Sequence, residues 1–181
     1  MMLVRSVERG LILSIIYPTS KPLENFNEEI DFCAMSPLQV ENSLEKIHLF
    51  KNLIIGGAQV SEILVSKIIQ TLKPSNAQTK IFETYGMSET LSHVALKQIY
   101  PETEEYFTTL ENVEISLDER GCLMIFAPKL NSEILKTTDL VELRDSAQSD
   151  KKRFKFLGRL YNVINSGGLK INPEELENLV K

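Results

Sequence analysis

The chain has few of the residues that most often carry chemistry. Its 181 residues include only two cysteines and two histidines. Cys33 and Cys122 are far apart and form neither a Cys-x-x-Cys pair nor a metal-ligand spacing. They read as buried thiols of a reducing compartment, which puts the chain in the cytoplasm. His48 and His93 make neither a zinc site nor a triad and read as structural or surface residues. There is no basic block and the net charge is −5, so no nucleic-acid partner is expected. The longest apolar stretch, Leu11 to Ile16, is far too short for a membrane span. Met1-Met2-Leu3-Val4 lacks a basic segment, and Arg5, Glu8 and Arg9 interrupt any apolar one, so no secretory signal is evident. No internal repeat or low-complexity tract occurs.

What is present is ordinary globular composition, 43% hydrophobic and 25% charged. Gly10 to Ile16 reads as a strand closed by Tyr17-Pro18, and Ile30 to Met35 as another. Ser36-Pro37 supplies an N-cap and a proline at the first helical position, opening a helix toward Lys46. Asn52 to Ile55 is a short buried strand ending in Gly56-Gly57. From Ser61, the spacing of Ile63, Leu64, Ile68, Ile69 and Leu72 predicts a helix, ended by Pro74-Ser75-Asn76. Lys80 to Glu83 is the next strand, so the first part reads as parallel β-α-β units. Beyond about Pro101 the period changes. Val113 to Leu117 alternates, Asp118-Glu119-Arg120-Gly121 turns, and Cys122 to Ala127 returns as a hairpin. Leu140 to Leu143 and Phe154 to Leu157 suggest a second pair. Asn172-Pro173-Glu174-Glu175 is a capping box that opens a last helix. The fold class is therefore α/β: a parallel layer over 1–105, a small antiparallel, barrel-like section over 106–157, and a final unit over 158–181.

Four segments carry candidate chemistry. Gly56-Gly57-Ala58 follows a strand, and paired glycines let backbone approach a flat ligand; an ordinary strand-to-helix turn reads the same way. Tyr85-Gly86-Met87-Ser88-Glu89-Thr90 leaves a strand at a glycine turn and precedes a plausible helix, a place where free N–H groups attract phosphate. Ser88 and Thr90 can donate to that phosphate, Glu89 can hold Mg²⁺, and Tyr85 can stack on a base. Ser88 as a simple helix cap with Glu89 favoured by the dipole is the alternative. Lys136-Thr137-Thr138-Asp139 places a carboxylate at a strand edge, able to accept both hydroxyls of a ribose or to serve as a turn residue. The fourth segment, Gly158 to Glu177, combines Gly158-Arg159, an apolar strand, the pair Gly167-Gly168 and the capped helix.

In this order the segments resemble the adenylate-forming superfamily of acyl-CoA synthetases, luciferases and peptide-synthetase adenylation domains. The hexapeptide matches that family's Tyr-Gly-x-Ser/Thr-Glu, and Thr137-Thr138-Asp139 its Thr-Gly-Asp. The last block matches its hinge motif, and the resemblance spans residues 50 to 181. Ile164-Asn165-Ser166-Gly167-Gly168 with Ile171-Asn172-Pro173-Glu174-Glu175 looks most like the o-succinylbenzoate–CoA ligases of menaquinone biosynthesis. The resemblance implies an enzyme that joins a small carboxylic acid to ATP and passes the acyl-adenylate to CoA. It implies that Glu89 holds Mg²⁺, Ser88 touches the α-phosphate and Tyr85, beside Gly86, packs on adenine. Gly56, Gly57 and Ala58 would wall the adenine and acyl pocket, Asp139 would bind the ribose with Arg159 near it, and Lys170 with Ser166-Gly167-Gly168 would line the CoA tunnel.

The departures are specific. Tyr161 stands where the family hinge has Asp, and Thr138 where it has Gly. No Ser/Thr/Gly-rich loop with Lys, which would grip the β- and γ-phosphates, occurs, and none of the eight glycines lies in one. The chain stops just past the hinge block, before the family's catalytic-lysine domain. The expectation is a central segment of such a ligase, incomplete for catalysis, with uncovered apolar edges that favour a homo-oligomer. A noncatalytic nucleotide- or acyl-binding module and another aryl- or fatty-acyl-CoA ligase are the alternatives.

Overall fold

The computed structural model describes residues 2–72, 78–144, 152–162, 164–166, 169–171 and 173. It is a mixed α/β structure. Helix α1 spans Met2–Arg9 and is followed by strand β1 (Ile30–Met35), the short helix α2 (Pro37–Glu41) and strand β2 (Phe50–Ile55). Then come helix α3 (Glu62–Thr71), β3 (Lys80–Gly86), β4 (His93–Tyr100) and β5 (Phe107–Thr109). The remaining strands are β6 (Glu114–Leu117), β7 (Cys122–Ala127), β8 (Asn131–Arg144), β9 (Arg153–Arg159), β10 (Ile164–Ser166) and β11 (Leu169–Ile171).

The first three strands are parallel, with Cys33 opposite Leu53 and Leu53 opposite Ile81. All later pairings are antiparallel. Nine strands form one sheet in the order β1-β2-β3-β4-β5-β9-β8-β7-β6, with β10 and β11 as a separate hairpin. Two cores sit on it. One gathers Val40, Ile47, Leu53, Leu64, Ile68 and Ile81 between the helices and the parallel strands. The other gathers Val94, Phe107, Leu123, Ile125 and Phe154 among the antiparallel strands.

The local signals read from sequence are realised at several points. Ser36 caps α2 in a capping box, its Oγ accepting from the Gln39 N–H, and Pro37 opens the helix. The helix predicted from Ser61 forms as α3, with the Ser61 Oγ accepting from the Leu64 N–H. The hairpin turns at Asp118, whose carboxylate accepts from the Arg120 and Cys122 N–H groups.

Three expectations are corrected. The segment Gly10 to Ile16 is not a strand: α1 ends at Arg9, and the following residues pair with no strand among those described, so their backbone groups gain no ladder. Its apolar side chains stay out, Ile12 at 99% and Ile15 at 81% exposure. The helix from Pro37 stops at Glu41 and gives way to a tighter 3-10 segment at Leu44–Leu49. No helix follows the hexapeptide either. Ser88–Thr90 is a single 3-10 turn, and the chain then runs back as β4. The β-propensity and burial of Val94, Ile99 and Tyr100, paired antiparallel to β3, win over the helical reading. The capping box at Asn172–Glu175 lies outside the described residues.

Candidate active site

The site begins where the parallel strands end. Met35, Ile55 and Glu83 lie in one register row across β1, β2 and β3, so Gly56 and Thr84 emerge side by side at the carboxyl ends. In open α/β sheets this edge is where ligands bind. The Thr84 hydroxyl donates to the Ile55 carbonyl at 3.1 Å, and the Gly56 N–H donates to the Met35 carbonyl at 3.1 Å. A Cβ built on Gly56 would fall on the Thr84 hydroxyl. The glycine therefore keeps open a pocket of about 250 Å³ lined by Ala34, Met35, Ile54, Gly56 and Thr84. Gly57 and Ala58 continue as an exposed loop, with Gly57 at φ +86°.

Gly86 closes β3 under a second steric demand. Its added Cβ would lie 2.6 Å from the His93 Cα and 2.7 Å from the Ser92 carbonyl oxygen. Both are backbone atoms of the returning chain, so the hexapeptide glycine permits the tight β3–β4 turn. Ser88 and Glu89 are exposed on that turn, which packs against β8, and the buried Thr90 hydroxyl accepts from the Met87 N–H at 3.1 Å. A three-residue turn has no extended helix behind it. The phosphate attraction expected from a helix dipole is therefore absent, leaving only local N–H and hydroxyl donors.

The second half of the site lies on β8 and β9. The Thr137 hydroxyl donates to the Leu123 carbonyl at 2.8 Å and accepts from the Asp139 N–H at 3.0 Å, which fixes the strand bearing Asp139. Asp139 pairs across the ladder with Arg159. One carboxylate oxygen lies 3.3 Å from the Arg159 Nε, and the other accepts from the Tyr85 hydroxyl at 2.5 Å. Asp139 is almost buried, whereas the Arg159 side chain is 64% exposed. The Tyr85 ring sits edge-on to Phe154 at 4.9 Å and tilted on Phe107 at 5.8 Å. Burial, and secondly the Asp139 hydrogen bond, raise the Tyr85 hydroxyl well above its ordinary value. It therefore stays protonated and remains a donor.

This contact has a measurable consequence. A tyrosine whose folded pKa is raised stabilises the fold fully below its unfolded value, near 10, and loses that contribution as the pH climbs toward the folded value. The Tyr85→Phe variant should be less stable than wild type at pH 8 by about 1 kcal/mol, the typical worth of such a bond. Urea melts should show the gap shrinking above about pH 10. A gap constant from pH 8 to pH 10.5 would contradict the Tyr85–Asp139 bond.

The structure thus brings together Gly56, Gly57 and Ala58 with the end of β3, and Tyr85 with Asp139 and Arg159. Gly86, Ser88 and Glu89 follow in the turn against β8. The Lys170 backbone is paired with Asn165 in the β10–β11 hairpin, its side chain is not described, and Gly167 and Gly168 lie outside the described residues. Tyr161 is 77% exposed in the turn after β9. Sequence reasoning missed Thr84, Glu83 and Lys97. Glu83 is 3% exposed, accepts from the Val60 N–H at 3.0 Å, and lies 2.7 Å from the Lys97 Nζ. Its inward position on the alternating β3 strand was the available signal.

No family model and no curated protein matches the chain. Solved structures do. A protein of Dyadobacter fermentans, described as acyl-CoA synthetase (AMP-forming)/AMP-acid ligase II-like, is 34% identical, with a TM-score of 0.68 over 90% of this chain and 45% of that one. Escherichia coli MenE, with a bound analogue of OSB-AMS, is 18% identical with a TM-score of 0.67 over 99% of this chain and 41% of that one. Bacillus subtilis MenE, an o-succinylbenzoate coenzyme A synthetase in complex with ATP and magnesium, is 18% identical with a TM-score of 0.66 over 99% and 38%. The chain spans less than half the length of each of these structures. Among the described residues, no helix is long and apolar enough to cross a membrane. The mixed sheet, its strand order and these likenesses together identify the chain's fold as part of that of the AMP-forming acyl-CoA synthetases and related acid ligases.

Proposed function

We propose that the chain is a central segment of an ATP-dependent acid–CoA ligase, the part that holds the nucleoside and faces the acyl group. The observation that carries this reading is Asp139, a nearly buried carboxylate pre-oriented by Tyr85 on one oxygen and Arg159 on the other. Each oxygen keeps lone-pair capacity to accept a ribose hydroxyl. The Gly56 pocket beside Thr84 supplies a cleft of the size and place to take a flat ring. Glu89 suits Mg²⁺, which takes one or two carboxylates and completes its shell with substrate phosphate oxygens and water. Among the described residues no three acidic, His or Cys side chains cluster, so phosphate oxygens are needed to finish that site. When bound, Mg²⁺ would neutralise phosphate charge during adenylate formation. Ser88, exposed in the same turn, would donate to the α-phosphate.

Within this class we assign o-succinylbenzoate as the acid, with CoA as the acceptor of the activated acyl group. The hinge-block residues support that choice; the likeness to MenE, at 18% identity, is one of fold. Structures of a coronafacic acid ligase and an anthranilate CoA ligase are also similar, so another aromatic or cyclic acid is the second reading. The chain lacks a Lys-bearing phosphate loop, so it is expected to bind nucleotide but not to turn over. Calorimetric titration with AMP should show binding, and pyrophosphate exchange with o-succinylbenzoate should give no signal. Absence of AMP binding would remove the nucleoside role; robust exchange would overturn the incompleteness.

A further inference from the structure

Glu83 and Lys97 are a cross-strand pair facing each other on β3 and β4. The Glu83 side chain is 4% exposed and that of Lys97 23%, so both charges are largely removed from water. Such a pair is a poor way to gain stability, because desolvation offsets most of the attraction and an apolar pair of similar size often does as well. The pair has specific attachments instead. Glu83 Oε1 accepts from the Val60 N–H at 3.0 Å, at the end of the loop that starts with Gly56-Gly57-Ala58. The Lys97 Nζ lies 2.7 Å from Glu83 Oε2 and 4.8 Å from the centroid of the Phe107 ring. Phe107 in turn packs on Tyr85. One buried carboxylate therefore ties the end of the glycine loop to the aromatic bed beneath Tyr85.

We propose that Glu83 is a positioning residue for the candidate nucleotide pocket: held by Lys97, its carboxylate fixes the loop over residues 56–60 through the Val60 N–H. This rests on the nucleotide reading given above. Glu83 touches no ligand in this scheme. It acts by holding a loop whose two glycines make its backbone freer than that of neighbouring segments.

The test compares two double variants of the full chain. E83L/K97M replaces the ion pair by an apolar pair and removes the acceptor for Val60. E83Q/K97Q removes both charges but keeps an amide oxygen for the Val60 N–H. Urea unfolding, exchange of the Val60 amide hydrogen and AMP titration are read for each. E83L/K97M should match wild type in unfolding midpoint. Its Val60 amide should exchange about 10-fold faster and its AMP affinity should fall about 10-fold, as expected for loss of a buried hydrogen bond to a charged group. E83Q/K97Q should retain both within about 3-fold. Val60 protection or AMP affinity unchanged in a folded E83L/K97M protein overturns the proposal, since the pair is then only structural. If E83L/K97M fails to fold, E83Q/K97Q decides: retention of both readouts supports the proposal and loss of either overturns it. If wild type binds no AMP, the nucleotide reading falls, and Val60 exchange alone decides whether Glu83 holds the loop.

Discussion

Asp139→Asn should weaken AMP binding by about 100-fold while leaving the fold intact. The estimate follows from two hydrogen bonds from ribose hydroxyls to a charged acceptor, each worth about 1.5 kcal/mol at the lower end of the range. Asparagine keeps the volume and one acceptor oxygen, so the Tyr85 hydroxyl retains a partner. The Arg159 side chain is 64% exposed and stays solvated when the pair is lost, so the ion pair itself adds little to stability. A control ligand isolates the role. With 2′,3′-dideoxy-AMP, wild type and variant should bind alike, because the hydroxyls that Asp139 accepts are gone. An equal loss of affinity for both nucleotides would mean that Asp139 acts by shaping the sheet and not by holding ribose. The measurement is a pair of calorimetric titrations, checked by urea melts at the same pH.

Gly86→Ala carries the largest expected cost to stability. The new methyl would meet the His93 Cα at 2.6 Å and the Ser92 carbonyl at 2.7 Å, contacts that only a shift of backbone relieves. The β3–β4 register also shifts between Tyr85 and Gly86. Overpacking of this kind costs about 3 kcal/mol at the upper end of its usual range. With a slope of about 1–3 kcal/mol per molar urea, the midpoint should fall by roughly 1–3 M. Gly57→Ala is the instructive contrast. Nothing lies within 4 Å of its added Cβ, but its φ of +86° leaves only the left-handed penalty, about 1–2 kcal/mol. Equal midpoints for Gly86→Ala and wild type would show that β3 and β4 part more easily than their packing indicates.

These two positions show why part of the site was legible and part was not. Asp139 stood in a short motif, and a carboxylate after Thr137-Thr138 carries its own chemical meaning. Its bond to Tyr85 could not be read, because the partners are 54 positions apart and meet only where β3 passes β8. Glu83 was hidden for a related reason. In sequence it is one more polar residue in an alternating strand. Its inward face follows from the alternation of β3, but the Lys97 opposite it appears only once the β3–β4 register is set. The helix expected after Thr90 failed because a polar hexapeptide with a capping pattern suits a helix start as well as a tight turn. The alternative was chosen by pairing of β4 with β3, a nonlocal event.

Gly10 to Ile16 failed in the opposite direction. Its β-branched, apolar run has the propensity of a strand, but propensity supplies no neighbour. A strand without a partner leaves its N–H and C=O groups to water, and here the apolar side chains remain exposed as well.

By itself the sequence determined what depends on neighbours a few residues apart. It determined the cap at Ser36, the helix from Ser61, the hairpin at Asp118 to Gly121, the parallel strands at Ile30 and Asn52, and the short motifs that mark the adenylate-forming resemblance. Only the tertiary structure decided what depends on residues far apart. It alone joined nine strands into one sheet, turned the chain back at Ser88, set Tyr85 on Asp139, and bound the glycine loop to Glu83 and Lys97. Local conformation follows from side chains next to one another, whereas a binding site is built from groups whose common address is set by register and burial.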